Sequence, residues 1–95
     1  MIYELVIKEE AVFEITESYL YYESKSLGLD DRFVNQLETY LDRITQFPFH
    51  FEVKRKPYRE AFIKKFPFLI IYEIIETQVV VYSVFNTNRN PTKKP

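Results

Sequence analysis

Two apolar runs, Phe68–Ile75 (FLIIYEII) and Gln78–Phe85 (QVVVYSVF), decide the fold class of this chain. Both are rich in β-branched and aromatic residues, and nearly continuous apolar runs of this length are typical of central strands. Only Glu76 and Thr77 separate the two runs, and a connection this short can join only antiparallel neighbours. The pair therefore predicts the centre of a β-sheet.

Two further strands are predicted outward from this pair. Tyr58–Lys65 alternates between two faces, and the short connection Phe66-Pro67 again requires an antiparallel neighbour. Ile2–Ile7 (IYELVI) has the β-branched and aromatic content of a first strand. The polar segment Glu52–Pro57, which directly precedes Tyr58–Lys65, is predicted to be a loop.

After Glu9 the apolar period changes to three and four residues, which predicts an amphipathic helix. Its core stripe comprises Val12, Ile15, Tyr19 and Tyr22, widened by Ala11 and Leu20. The opposite, solvent-facing side comprises Glu9, Glu10, Glu14, Glu17 and Glu23. The chain's single glycine, Gly28, stands where the end of a helix needs a left-handed residue.

A second helix is predicted to start after Asp30, a plausible N-cap, and to end at Pro48, because the residue before a proline disfavours helix. Its core stripe comprises Phe33, Leu37, Tyr40, Ile44 and Phe47, with Leu41 on the same face. The two helices are joined by a short loop and carry facing apolar stripes. They therefore predict a helical hairpin.

The predicted order of elements is β-α-α-β-β-β. It indicates an α+β fold of two layers, in which the helical hairpin packs on a mainly antiparallel sheet. A length of 95 residues predicts a single domain over residues 1–95, with residues 86–95 as a surface tail.

The composition excludes several functional classes. The sequence contains no cysteine, one histidine and one glycine, which rules out thiol chemistry, a multi-histidine metal site and the glycine-rich phosphate loops. We therefore expect neither a metal nor a cofactor. No segment has the features of a signal peptide or the length of a membrane span, so we expect a cytoplasmic protein with no membrane partner.

Charge is distributed unevenly along the chain, although the formal net charge is only −1. Residues 1–47 contain four cationic and ten acidic residues, whereas residues 48–95 contain nine cationic and four acidic residues. This asymmetry indicates an anionic partner for the second half, or two solvated faces of opposite sign that attract each other. Charge counts alone leave both interpretations open.

The densest basic stretch is Lys54-Arg55-Lys56-Pro57-Tyr58-Arg59. Strand parity places Arg59 and Lys65 on one face of their predicted strand. Such a surface suits phosphates or an acidic partner protein, and arginine can bind either in a bidentate manner. The alternative is a solvated loop beside an edge strand that lysines protect from aggregation.

The tyrosines of the first helix exceed what one helical face can bury. Tyr19 and Tyr22 fall on the core stripe, and Tyr21 falls at its boundary. Excess aromatic surface is typical of a protein interface, but a tyrosine with a packed ring and a hydrated hydroxyl is equally compatible with the pattern.

Taken in order, these pieces resemble the RelE/ParE superfamily, the toxin halves of type II toxin–antitoxin modules, over essentially the whole chain. The segments that carry the resemblance are the tyrosine-rich first helix, Leu27-Gly28-Leu29 with Arg32-Phe33, Ile44-Thr45-Gln46-Phe47-Pro48, Tyr58-Arg59, Lys65-Phe66-Pro67-Phe68-Leu69-Ile70-Ile71-Tyr72, and Val84-Phe85-Asn86-Thr87-Asn88-Arg89-Asn90-Pro91. The pattern is most similar to the ParE-like, plasmid-stabilisation branch.

The resemblance implies a bacterial toxin that arrests growth by inhibiting DNA gyrase or another essential protein, and that forms a hetero-oligomer with its cognate antitoxin. Candidate target-binding residues are Lys54, Arg55, Lys56, Tyr58, Arg59, Arg89, Lys93 and Lys94. Candidate antitoxin-binding residues are Tyr19, Tyr21 and Tyr22.

Two alternatives follow from the same resemblance. The first is a ribosome-dependent mRNA endonuclease of the RelE-like branch, with Arg59, Arg89 and Lys65 as catalytic candidates. Cleavage of RNA without a metal needs a general base, and the sequence offers no convincing one, since the lone His50 follows the second helix beside phenylalanines. The second alternative is a non-toxic relative that only binds an antitoxin.

Overall fold

The computed structural model describes residues 2–88 and places five strands of that range in one sheet, in the order β1-β5-β4-β3-β2. The elements are β1 (Glu4–Ile7), α1 (Glu9–Lys25), α2 (Leu29–Gln46), a 3-10 turn (Pro48–His50), β2 (Val53–Arg55), β3 (Tyr58–Ile63), β4 (Phe68–Ile75) and β5 (Gln78–Asn86). The α+β class and the helical hairpin are confirmed.

The predicted central pair forms the middle of the sheet. β4 pairs antiparallel with β5 on one side and with β3 on the other. β1 pairs parallel with β5, with Leu5 beside Val79, so the sheet is mixed at one edge. On β4, Ile70 and Tyr72 face the helices, whereas the alternating positions Ile71 and Glu73 lie on the opposite face, which we call the outer face.

The segment predicted to be a loop contains a short strand. Val53–Arg55 forms β2 and pairs antiparallel with the start of β3, so the order of elements contains one strand more than expected. All three residues of β2 are exposed. An exposed edge strand of three residues lacks the apolar alternation on which strand recognition depends, and its pairing is imposed by the neighbouring strand.

Helix α1 buries a face that is rotated from the one its sequence indicates, although Ala11, Ile15 and Tyr22 of the predicted stripe do contribute to the core. The buried positions are Ala11, Ser18 and Tyr22, whereas Val12 and Leu20, predicted to widen the core stripe, are 48% and 55% exposed. Ala11 and Ser18 are small, and a helix face with small side chains can approach its neighbours closely. The helix packs through this face against α2 and β5.

Helix α2 follows its predicted pattern except at its ends. Phe33, Leu37 and Ile44 are buried as expected, but Phe47 is 62% exposed because the helix ends at Gln46 and Phe47 leaves the helical conformation. Gly28 has φ +81° and directly precedes α2, so Asp30 lies in the first turn and is not the N-cap. The expectation of a left-handed glycine is confirmed.

An aromatic cluster joins both helices to the sheet. The Tyr22 ring lies 5.3 Å from the Phe33 ring and 5.2 Å from the Phe66 ring, and the Phe33 ring lies 4.9 Å from the Phe68 ring (centroid distances). Edge-on and tilted arrangements at these separations are favourable for aromatic pairs. Within the described range, no helix is both long enough and apolar enough to cross a bilayer.

Candidate functional site

The densest basic stretch of the sequence forms a hairpin at the edge of the sheet. Lys54, Arg55 and Lys56 are exposed, and Arg55 lies opposite Tyr58 in the pairing of β2 with β3. Lys54 Nζ lies 3.3 Å from a carboxylate oxygen of Glu52. An exposed ion pair of this kind contributes little stability, so the lysine can exchange this partner for another anion at small cost.

Arg59 differs from these neighbours because its guanidinium contacts the protein's own backbone. Nη1 donates to the carbonyl oxygen of Phe51 at 2.7 Å and lies 3.5 Å from that of Phe49. The guanidinium carbon is 5.1 Å from the centre of the Phe49 ring, within the range of a cation–π interaction. Arg59 therefore ties β3 to the turn that follows α2, a role that the sequence alone did not indicate.

Two of the three nuclease candidates, Arg59 and Lys65, lie in different elements. Arg59 lies near the start of β3, whereas Lys65 lies in the turn beyond the strand's end at Ile63, so the strand is shorter than predicted. The four strand steps from Arg59 to Ile63 span about 13 Å, and Lys65 follows in the turn. Arg89, like Lys93 and Lys94, lies outside the described residues.

A cleft of about 830 Å³ lies between the N-terminal half of α1 and the outer face of the sheet. Its floor includes Tyr58 and Tyr82, whose rings meet edge-on at 5.6 Å. The Tyr82 hydroxyl donates to a carboxylate oxygen of Glu73 at 2.7 Å, and this hydrogen bond raises the pKa of Tyr82 to about 12. The hydroxyl therefore stays protonated at neutral pH and cannot serve there as a general base.

Glu14 forms the wall of this cleft and also holds α1 to the sheet. One of its carboxylate oxygens accepts from Ser83 Oγ at 2.8 Å and from the backbone N–H of Val84 at 3.0 Å. Both donors follow an irregularity in the pairing of β4 with β5, where Tyr82 is the extra residue. The prediction that Glu14 belongs to the purely solvent-facing side of α1 is therefore wrong. Its two donors follow a β-bulge, and the apolar pattern of the sequence does not indicate that bulge.

The three tyrosines proposed for an antitoxin interface have different environments. Tyr22 is 9% exposed and belongs to the aromatic cluster, and burial raises the pKa of its hydroxyl. Tyr19 is half-buried, and the negative charge of Asp30 raises the pKa of Tyr19. Tyr21 is 55% exposed, with Lys25 Nζ 5.1 Å from its ring centre. Only Tyr21 presents most of its side chain to a partner.

Sequence reasoning missed other exposed apolar side chains. On α1, Val12, Phe13 and Leu20 are about half exposed or more, and Phe47 and Phe49 are exposed beside the 3-10 turn. Their helical spacing predicts that Leu20 and Phe47 belong to the core. Leu20 is exposed because α1 is rotated about its axis relative to the prediction, and Phe47 is exposed because α2 ends at Gln46. Large exposed apolar groups of this kind are typical of interaction surfaces.

His50 lies at the end of the 3-10 turn, is exposed, and has its ring 5.5 Å from the Phe51 ring in an edge-on arrangement. Within residues 2–88, no group of three or more potential metal-binding side chains is arranged to hold a metal ion. His50 therefore lies at the surface beside an aromatic ring, as its position after α2 predicts.

A short first strand, a helical hairpin and a four-strand antiparallel meander define a two-layer α+β fold. The fold is similar to a solved structure titled "Chromosomal ParDE TA system from P. aeruginosa", with a TM-score of 0.76 and 11% sequence identity. The similarity covers 90% of this chain and 96% of the other. At this identity the comparison shows a shared fold.

The family follows from the sequence itself. Residues 5–91 match the family model described as the ParE toxin of the type II toxin-antitoxin system parDE. The chain belongs to the ParE toxin family. No protein of curated function matches the sequence significantly. The resemblance drawn from the order of motifs is thereby confirmed.

Proposed function

We propose that this chain arrests bacterial growth from the cytoplasm by binding and inhibiting DNA gyrase, and that a cognate antitoxin neutralises it. The observation that carries the proposal is the match of residues 5–91 to the ParE toxin family. Two further observations support action by binding over RNA cleavage. The guanidinium of Arg59 is engaged by backbone carbonyls, and Lys65 lies in the turn beyond the other end of the strand.

The proposed target-binding surface is the β2–β3 hairpin. Lys54, Arg55, Lys56 and Tyr58 belong to it by position, and Arg59 supports it through its contacts to the following turn. Arg89, Lys93 and Lys94 are assigned to the same function by sequence alone. Cations displayed on a short edge hairpin can orient an acidic partner and increase its rate of association.

The proposed antitoxin-binding surface is the exposed face of α1. Tyr21, the most exposed of the three candidate tyrosines, is adjacent to Leu20, and both side chains are 55% exposed. Tyr22 supports this face from the core, and Tyr19 borders it. A partner segment that folds on binding can cover such a helix face with its own apolar side chains, giving a hetero-oligomer.

The decisive experiment expresses the chain in bacteria with and without the gene that neighbours it. We expect growth arrest by the chain alone and normal growth when both are expressed. The purified chain should also inhibit supercoiling by purified gyrase. Normal growth at confirmed soluble levels of the chain alone would contradict the proposal.

The same cultures distinguish the two alternative functions, a ribosome-dependent endonuclease and a non-toxic relative. Primer extension on translated mRNA during arrest should show no codon-linked cuts, and the appearance of such cuts would indicate a ribosome-dependent endonuclease. Absence of arrest together with stable binding to the neighbouring gene product would indicate a non-toxic relative.

A further inference from the structure

The turn between α2 and β2, residues 47–51, displays two large aromatic side chains to solvent. Phe47 is 62% exposed and Phe49 is 63% exposed, on either side of the buried Pro48. Tyr3 contacts the Phe49 ring edge-on at 6.4 Å, and Ile2 beside it is 74% exposed. The exposed apolar surface at this end of the molecule is therefore contributed by residues distant in sequence.

The α2–β2 turn is held in place from the sheet. The buried Tyr72 hydroxyl donates to the Pro48 carbonyl oxygen at 2.6 Å, and Arg59 Nη1 donates to the Phe51 carbonyl oxygen at 2.7 Å. Within the turn, the His50 N–H donates to the Phe47 carbonyl oxygen at 3.0 Å. Because the turn is already ordered, a partner that binds it loses less conformational entropy on association than one that binds a mobile loop.

The stretch of sequence that contains this turn carries mainly positive charge. Residues 43–59 contain five lysines and arginines and one acidic residue, Glu52, which pairs with Lys54 at 3.3 Å. Arg59 lies against the Phe49 ring itself, and Arg43 lies in the last turn of α2, immediately before the α2–β2 turn. The complementary surface is one that carries carboxylates beside an apolar side chain.

We propose that the α2–β2 turn is a contact point for the target protein, and that it receives an acidic segment of that protein carrying an exposed apolar residue. The inference rests on the proposed function, in which the chain acts by binding a protein target. Phe47 and Phe49 provide the apolar contact, and the surrounding cations orient the acidic segment. Aromatic residues, phenylalanine included, are enriched at protein interfaces.

The test compares the wild-type chain with Phe47→Gln, Phe49→Gln and the double variant. Each is assayed for growth arrest, and the purified proteins are assayed for binding to gyrase and for inhibition of supercoiling. We expect the double variant to bind gyrase at least about tenfold more weakly, as for the loss of an interface hot spot. Leu27→Gln is the control, because Leu27 is also apolar and exposed but lies in the connection between the helices and belongs to neither proposed surface, and it should retain wild-type binding.

Folding is checked by thermal unfolding of each variant. Phe47→Gln leaves the contact between Phe49 and Tyr3 in place, so this single variant should keep the wild-type Tm and still bind more weakly. Equal binding by wild type and the double variant would overturn the inference, as would an equal loss of binding in Leu27→Gln. Weaker binding to DNA alone, with gyrase binding unchanged, would also overturn it and indicate a nucleic-acid partner. A wild-type chain that neither arrests growth nor binds gyrase would instead contradict the proposed function itself.

Discussion

Tyr72 is the residue that most directly connects the sheet to the candidate target surface. It lies at the centre of β4, is fully buried, and donates its hydroxyl to the Pro48 carbonyl oxygen at 2.6 Å. Pro48 is itself buried between the two exposed phenylalanines. A single side chain in the core therefore holds a surface turn in position. A pattern of apolar residues cannot indicate this contact, because tyrosine and phenylalanine occupy core positions equally well.

The first prediction concerns this hydrogen bond. Tyr72→Phe removes the donor and leaves a buried carbonyl unsatisfied, so we expect the free energy of unfolding to fall by about 1–3 kcal/mol. Urea denaturation measures the difference. Tyr82→Phe is the matched control, because the Tyr82 hydroxyl is only half-buried and its partner Glu73 can turn to water, so its loss should cost less. Equal losses in the two variants would contradict the structural role of Tyr72.

The second prediction concerns alkaline pH. Burial raises the pKa of Tyr72 to about 12, from about 10 in an unfolded chain, although the nearby Arg59 opposes the shift. A raised pKa means that the folded state binds the proton more tightly, so this stabilisation is complete below pH 10 and is lost as the pH rises toward 12. We expect unfolding free energies to fall across that window, and to fall less steeply in Tyr72→Phe. Parallel curves for the two proteins would contradict the assignment. Some dependence should persist in the variant, because the pKa of Tyr82 is also about 12.

At the scale of elements, Glu14 of α1 accepts a backbone hydrogen bond from β5 beyond the point where the pairing with β1 ends. β1 pairs with β5 only as far as Val81, and the N–H of Val84 donates to the Glu14 carboxylate.

We expect Glu14→Ala to lower the free energy of unfolding by about 2 kcal/mol, the range for hydrogen bonds to a charged group. Glu14→Gln should recover most of this loss, because its amide oxygen can still accept. Glu38→Ala, at an exposed position of α2, should change stability by less than about 0.5 kcal/mol. Equal effects at positions 14 and 38 would contradict this role for Glu14.

The connection between the helices depends on one backbone conformation. Gly28 has φ +81°, and a Cβ atom built at this position would meet no atom within 4 Å, so a substitution there is penalised by backbone strain and not by a clash. Gly28→Ala should therefore cost about 1 kcal/mol of stability. Gly28→Asn should cost less, because asparagine tolerates the left-handed region. Thermal unfolding measures both, and a loss in Asn equal to that in Ala would contradict the explanation.

The elements differ in how far the sequence pattern predicts them. Long apolar runs such as Phe68–Ile75 identify the central strands, since both of their faces are largely covered. The parallel pairing of β1 with β5 joins segments more than seventy residues apart, and no local pattern specifies it. Strand β2 and the buried face of α1 depend on neighbours in space. The basic stretch at residues 54–59 could be identified in the sequence, whereas the exposure of Phe47 and Phe49 depends on the residue at which α2 ends.

For the whole molecule, the uneven charge of the sequence corresponds to a division between elements. The acidic first half forms β1, α1 and α2, and the basic second half forms the remaining strands. The exposed apolar groups Leu20 and Tyr21 lie in the C-terminal half of α1, beyond the cleft that separates the N-terminal half from the basic hairpin. In the proposed function, one of these surfaces binds the antitoxin and the other binds the target.

The last prediction is that the two surfaces can be disabled separately. Leu20→Arg places a charge in the proposed antitoxin surface and should weaken antitoxin binding at least about tenfold, while growth arrest by the chain alone persists. Lys56→Glu reverses a charge of the hairpin and should reduce growth arrest and gyrase binding, while the antitoxin still binds. Both positions are exposed, so stability should change by less than about 0.5 kcal/mol. Pull-down with the antitoxin and growth curves measure the two functions, and a stably folded variant that loses both would show that the partners share one surface.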